Sequence, residues 1–413
     1  MARLPRCGAR PSRSGGEADL GGGARAIRAR RLTTLAAVLL ASLLVSPARS
    51  EAPAPSSEPP PEALASDRLH LPYPPQEVRG LYVTGALAAS SQMPRVLALL
   101  SQSSLNAIVI ELKDELGNVT FRAENPWARQ MGAVRGDIRD LRALVAQLHE
   151  RGIYVVGRMV AFRDHRLATR RSDLALHQPD GTAWLDRHGI GWADPSRRES
   201  WSYLIGLAVE AALAGVDEIQ WDYVRFPTDG DLDRLVYPAG VSKSETIAAF
   251  LAEARRAVAA AGAYTSADLF GFAALTEGDL GIGHQLELLA GQVDVVSLMV
   301  YPSHFPPGAM GLANPDRAPY EAVQRSLAAA ARRVDPWKIR PWLQSFSLQS
   351  PYGPLEVWEQ IRAAEELQVS GWLLWNPSGR YATPKELMTP AVAVQPASHQ
   401  RPEQKEEPDE PRS

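Results

Sequence analysis

Between residues 79 and 376 the chain alternates between two apolar patterns. Eight short apolar runs, 79–84, 107–114, 154–162, 216–223, 264–270, 293–301, 339–346 and 371–376, are mostly bounded by Gly, Pro or Asn and read as buried strands. Seven other runs, 93–102, 138–151, 198–213, 246–261, 283–291, 320–333 and 355–367, carry apolar residues at the three- and four-residue spacing of an amphipathic helix. Asp137 is placed as a helix N-cap, and Gly152, Gly215 and Gly262 as helix stops. Strands alternating with helices predict an α/β fold, a single-domain parallel (β/α)8 TIM barrel. A doubly wound open sheet is the rival. That fold usually announces a nucleotide by a Gly-rich turn, and no GxGxxG or Walker-type loop occurs here.

The flanks differ in kind. Residues 32–45 are apolar, follow Arg28, Arg30 and Arg31, and exit through Ala48-Arg49-Ser50, which reads as a signal peptide over residues 1–50. The apolar run is short for a membrane span, so no stable membrane insertion is expected after cleavage, and the mature chain is expected in the periplasm or outside the cell. Residues 51–77 form a Pro-rich linker and 390–413 a disordered polar tail, leaving 78–389 for the barrel. The lone cysteine, Cys7, falls in the presumed signal, so the exported chain is expected to hold no disulfide. The formal charge of -3 hides an asymmetry: residues 1–50 hold nine Arg and two acids, which leaves -10 on residues 51–413. An acidic body without a basic run argues against a nucleic-acid partner.

In a TIM barrel the site lies at the C-terminal ends of the strands, and polar residues collect there. The second run ends in Glu111, Lys113 and Asp114, with Glu115 beyond. The third carries Arg158, and the fourth, Val216-Asp-Glu-Ile-Gln-Trp-Asp-Tyr-Val-Arg-Phe-Pro227, carries Gln220, Asp222, Tyr223 and Arg225. Side-chain alternation puts Gln220 and Asp222 on one face and Ile219, Trp221 and Tyr223 on the other. The fifth run carries Ser266 and Asp268; the sixth ends in Tyr301 with Ser303 and His304 after it, the seventh offers Gln344, and the eighth ends in Trp375-Asn376.

These ends are rich in carboxylates and poor in what competing mechanisms need. No GxSxG elbow supports a serine triad, and a zinc hydrolase wants more than His304, with His165, His177 and His188 read as solvated loop histidines. Asp229, Asp231 and Asp233 imitate a calcium loop, but Arg234 stands where its glycine belongs, so no metal and no cofactor is expected. Paired carboxylates suit glycosidic cleavage, one protonating the leaving oxygen while the other attacks or activates water. Asp222 and Asp268, on adjacent strands, are predicted roughly 5 Å apart, the retaining distance, with Asp114 or Glu115 as alternative acids. Arg158 would hold one carboxylate ionised while an apolar setting keeps its partner protonated. Of Trp184, Trp192, Trp221, Trp342, Trp372 and Trp375, two or three are expected to stack on sugar. The segment 302–319 is expected to lie over the site as a functional loop.

The run Glu218-Ile-Gln-Trp-Asp-Tyr-Val-Arg-Phe-Pro227 resembles the E-I-Q-[FW]-D-Y-V-R-F-P motif of a bacterial family of inferred glycosyl hydrolases without an assigned substrate. Arg79-Gly-Leu-Tyr-Val, Glu111-Leu-Lys-Asp, Gly157-Arg-Met-Val-Ala-Phe-Arg-Asp164, Ser266-Ala-Asp-Leu-Phe-Gly271, Ser297-Leu-Met-Val-Tyr-Pro-Ser-His304, Trp342-Leu-Gln344 and Gly371-Trp-Leu-Leu-Trp-Asn376 are similar too. The resemblance spans nearly all of 79–380 and implies a TIM-barrel glycoside hydrolase acting on a carbohydrate polymer, with cell-wall glycan a reasonable substrate. The rival reading is a glycan-binding barrel of the cell envelope that has lost catalysis.

Overall fold

The computed structural model describes residues 77–238 and 240–388. The expected signal peptide, nearly all of the expected linker and the expected polar tail therefore lie outside the described residues. In chain order the first elements are β1 (Val78–Val83), α1 (Gly85–Ala88), α2 (Met93–Gln102), β2 (Ala107–Lys113), β3 (Val119–Phe121), α3 (Pro126–Gln130), β4 (Val134–Ile138) and α4 (Leu141–His149). Then come β5 (Tyr154–Val160), α5 (His165–Arg170), α6 (Arg198–Leu213), β6 (Glu218–Asp222), α7 (Lys243–Ala260) and β7 (Tyr264–Phe270). The last are α8 (Leu286–Ala290), β8 (Val295–Met299), α9 (Pro319–Ala331), β9 (Trp342–Gln344), α10 (Pro354–Glu366) and β10 (Gly371–Trp375). Eight strands, β1, β2 and β5 to β10, pair in parallel, and β1 bonds both β10 and β2, so the sheet closes as a (β/α)8 barrel. All eight predicted strands are present.

The differences have local causes. The helix expected from 138 begins at Leu141, because β4 takes residues through Ile138 by pairing with β3. Its cap is accordingly Asp140, not Asp137; the Asp140 carboxylate accepts from the Ala143 amide at 2.9 Å. The helix expected over 283–291 shrinks to α8, since Gly283 sits at φ +92° against the Lys243 carbonyl, outside helical geometry. The seventh strand shortens to β9 behind Pro341, which has no N–H to give a ladder. The β3–β4 excursion, antiparallel to β2 at its start, and the short α1, α3 and α5 were not foreseen.

Two apolar layers follow from strand alternation. Residues such as Ile108, Ile110, Ile219 and Trp221 face outward and pack under the helices, Trp221 edge-on to Phe250 of α7 at 5.0 Å. The inward set, including Tyr82, Val109, Tyr154, Val156, Trp342 and Leu373, forms a separate cluster that fills the barrel. Near its N-terminal end the filling is ionic. Arg340 Nη1 donates to both oxygens of Glu218 at 3.0 and 2.8 Å, and the Tyr154 hydroxyl donates to Glu218 at 3.0 Å, all fully or nearly fully buried. Glu218, Gln220 and Asp222 thus form one inward column, as alternation requires.

Candidate active site

Asp222 ends the inward column of β6 at the C-terminal mouth of the barrel. The register sets Arg158 of β5 beside Gln220 and opposite Glu111 of β2, so one guanidinium reaches carboxylates on both neighbouring strands. Arg158 donates Nε and Nη2 to Asp222 Oδ2 at 3.0 and 2.5 Å and Nη1 to Glu111 Oε1 at 2.8 Å. The Tyr82 hydroxyl donates to the same Glu111 oxygen at 2.9 Å, and the guanidinium lies 5.2 Å from the Trp375 ring centre. The second oxygen of Asp222 accepts from the Tyr223 amide at 2.6 Å. Tyr223 holds φ +48°, a left-handed conformation for a bulky residue, and this strained turn follows directly on the column's last carboxylate.

Asp268 comes from β7, the next strand. It is buried, and its Oδ1 accepts from Trp342 Nε1 at 2.8 Å. Burial and then the Asp222 charge push its carboxyl well above the usual carboxylate range, against the opposing pull of Arg158 and of the Trp342 bond. Burial also raises Glu111, against the pull of Arg158 and Tyr82. Three carboxyl groups thus share one arginine. The two on β6 and β7 differ in setting: Asp222 is gripped by a guanidinium and a backbone amide, and Asp268 is buried in the wall, where its proton is held more tightly than in an ordinary carboxyl.

A cleft of about 480 Å³ opens over this pair. Arg158, Asp222, Tyr223, Arg225, Asp268, Tyr301, His304 and Trp375, all read from the sequence as site residues, line it. Three of the six tryptophans, Trp192, Trp342 and Trp375, line it as well. Trp184, Trp221 and Trp372 are buried elsewhere, and Trp192 and Trp342 are themselves fully buried in the wall, which leaves Trp375 as the partly exposed ring of the six. His304 packs against Tyr301 and Phe346, and burial lowers its basicity, favouring the neutral ring. Its neighbour Phe305 also lines the cleft, so the segment 302–319 begins over the site.

The other sequence candidates support the mouth without lining it. Lys113 is fully buried, donating to the Val160 carbonyl at 2.7 Å and pairing with Asp164 at 2.8 Å. Asp114 closes the β2–β3 turn: Oδ1 accepts from the amides of Leu116 and Asn118, and Oδ2 from the Asn118 side chain. Gln220 lies beneath Asp222, bonded to Ser297 Oγ at 3.1 Å. Gln344 fixes two loops, accepting from the Ser303 amide and donating to the Phe346 carbonyl. Asn376 ties Ser345 to Arg380 and Ser378.

Sequence reasoning missed one wall. Arg163, Asp186 and His188 come from β5's end and the long segment after it, where Asp186 accepts from Arg163 Nε at 2.8 Å and from Trp192 Nε1 at 3.2 Å. Arg163, just past β5, could have been found by the same strand-end rule. Asp186 sits in a stretch with no periodicity, and nothing in the sequence points to it. Asp229, read as part of a solvated acidic loop, pairs with Arg187 at 2.9 Å, and both reach the cleft rim.

Known proteins bear on this geometry. Residues 80–381 match the model of a family described as "Putative glycosyl hydrolase domain". No curated protein matches the chain. A hypothetical protein from Ruminiclostridium thermocellum ATCC 27405 is 35% identical over 46% of this chain and 96% of its own, with a TM-score of 0.43. The glycoside hydrolase domain of PgaB (BpsB) from Bordetella bronchiseptica is 13% identical over 73% and 95%, with a TM-score of 0.57, a likeness of fold. The Bacillus cereus spore cortex-lytic enzyme SleL is 11% identical over 76% and 74%, with a TM-score of 0.46. The family match covers every barrel strand but the first residues of β1, along with both mouth carboxylates, so the chain belongs to this glycosyl hydrolase family and is a glycosidase of the TIM-barrel class.

Proposed function

We propose that this glycosidase is exported and cleaves a polysaccharide or cell-wall glycan by retaining chemistry, with Asp222 as nucleophile and Asp268 as acid/base. The observation that carries the reading is the unequal environment of the two carboxyls. Burial and the Asp222 charge raise the Asp268 carboxyl, favouring its protonated form, while Arg158 and the Tyr223 amide hold Asp222 as an acceptor. A pair of carboxyls pushed apart in this way divides acid from nucleophile. In the first step Asp268 gives its proton to the departing glycosidic oxygen as Asp222 bonds to the anomeric carbon. In the second, Asp268 takes a proton from water, which attacks that carbon and releases Asp222. The half-buried ring of Trp375 offers a face to sugar C–H groups, whereas Trp192 and Trp342 are fully buried in the cleft wall.

Purified full-length chain incubated with peptidoglycan and exopolysaccharide glycans supplies the test, with proton NMR following the anomer first released. Cleavage with retention, lost in Asp222→Asn and in Asp268→Asn while glycan binding persists, is the expected result. General acid loss alone lowers the rate about 10²–10⁴-fold. Inversion would reassign Asp222 as a base, and binding without any cleavage would favour the glycan-binding barrel. Export rests on the Arg-flanked apolar run of residues 32–45. N-terminal sequencing of envelope-fraction protein should find a start near Glu51, and a start at Met1 would sink it.

A further inference from the structure

The cleft beside the carboxylate pair holds an arginine that, among the described residues, forms no ion pair, with Asp222 and Asp229 acting on it only through space. Arg158 pairs with Asp222 and Glu111, Arg163 with Asp186, and Arg187 with Asp229. Arg225 lines the same cleft, is only 7% exposed, and has no carboxylate within ion-pair distance among the described residues. Its hydrogen bonds run from Nη1 alone, to the Phe226 carbonyl at 3.0 Å and to Thr228 Oγ1 at 3.4 Å. What surrounds it instead is a collar of rings: Phe270, Tyr223 and Trp192 have their centres 4.8, 4.9 and 5.0 Å from the guanidinium carbon. The Arg163 guanidinium, paired with Asp186, lies 5.2 Å from the same Tyr223 ring, so two cations meet one ring.

Ring faces ease the burial of a cation without using its N–H donors. A guanidinium has five such donors, and here the Nε and Nη2 edge is left without a protein acceptor. A buried charge without a directly paired counterion is unfavourable, and an incoming anion would relieve it. That edge is a planar fork, which matches a carboxylate in two parallel hydrogen bonds. We infer that Arg225 receives a sugar carboxylate and that the substrate is an acidic, uronate-type glycan. The inference rests on the proposed hydrolase reading and names its substrate class. A competing role for Arg225, holding Asp222 through space, would affect acidic and neutral substrates alike, and the test separates the two.

The probes are a hexuronate-containing oligosaccharide, the same oligosaccharide with its carboxyls reduced to hydroxymethyl groups, and a sulfated neutral counterpart. Calorimetric Kd values are measured on the full chain carrying Asp222→Asn, alone and combined with Arg225→Gln or Arg225→Lys. The acidic form should bind at least about tenfold more tightly than the reduced form. That ratio should fall towards one in Arg225→Gln and recover in part in Arg225→Lys, which keeps the charge without the fork and guards against a misfolded Gln variant. Equal affinity for acidic and reduced forms, no binding of the acidic form, a ratio that survives Arg225→Gln, or a preference for the sulfated probe would each overturn the assignment. Turnover by the chain with Asp222 intact is scored separately. Cleavage of the reduced glycan as fast as the acidic one leaves the hydrolase standing and sinks the anion site. Arg225-dependent binding with no cleavage sustains the anion site and sinks the hydrolase.

Discussion

The barrel holds two clusters of similar make-up on the same strand, and they behave as opposites. Glu218 and Asp222 stand four residues apart on β6, both inward, each against an arginine with a tyrosine nearby. At the N-terminal end one acid meets one arginine and one tyrosine, all sealed from solvent, and the charges cancel. At the C-terminal end three acids, Glu111, Asp222 and Asp268, share Arg158 under an open cleft. No second arginine pairs with these acids, and burial with the Asp222 charge pushes the Asp268 carboxyl up, which favours its protonated form. Residue type does not separate a sealed ion pair from one that faces a cleft. Stoichiometry and access do.

The sharpest way to break the comparison is to neutralise each column acid in turn. Asp222→Asn should reduce glycan turnover by roughly 10⁴-fold or more, beyond the general-acid range, with the melting temperature little changed. Arg340→Met should do the reverse. Stranding Glu218 without its cation should lower unfolding stability by about 3–5 kcal/mol while turnover per folded molecule stays near normal. The double replacement Glu218→Leu with Arg340→Met should regain most of that loss, since a buried pair exchanged for apolar groups is often close to neutral. Denaturant unfolding checks both, and a double variant as weak as the single one would show that the lower cluster does more than cancel itself.

A third measurement sharpens the proton's place. Asp268 binds its proton more tightly folded than unfolded. Between the ordinary carboxyl range and its raised folded value the native state therefore holds the extra proton, and stability falls as pH rises through that window. Asp268→Asn should flatten this slope, leaving the shallower contribution of Glu111, which has the same sign. The high-pH limb of kcat/KM should disappear in the same variant, because that limb reports the loss of the acid's proton. A slope and limb unchanged in Asp268→Asn would move the proton to another group. The smallest effect is expected at Asp114→Asn, which keeps one acceptor oxygen for the turn amides: about 1 kcal/mol of stability and unchanged turnover. A large loss of turnover there would return Asp114 to the chemistry.

Much of this was legible in the chain. The alternation of strand and helix runs gave the barrel, because apolar period is set locally by which faces must be buried. The rule that barrel sites lie at strand C-termini then picked out Arg158, Asp222, Asp268, Tyr301 and Trp375, all of which line the cleft. Strand parity put Gln220 with Asp222 and Trp221 on the far side, as the column and the Phe250 contact show, but it put Tyr223 on the far side too, and Tyr223, past the end of β6 at φ +48°, lines the cleft instead. Lys113, Asp114, Gln344 and Asn376 obey the same strand-end rule and yet bond backbone and turns, because the rule reads position along a strand and not where a long or forked side chain finds its partner.

What the sequence determined alone is what depends on neighbours along the chain: strand and helix periods, stops such as Gly152 and Gly262, and the inward parity of Glu218, Gln220 and Asp222. Only the tertiary structure decided which charges meet. Glu218 and Arg340 are 122 residues apart, Arg158 and Asp222 are 64, and Asp186 reaches the cleft from a segment without period. Coulomb and desolvation energies depend on distance and burial, so the unequal settings of Glu218, Asp222 and Asp268, and the lack of an ion pair at Arg225, exist only once the barrel has closed.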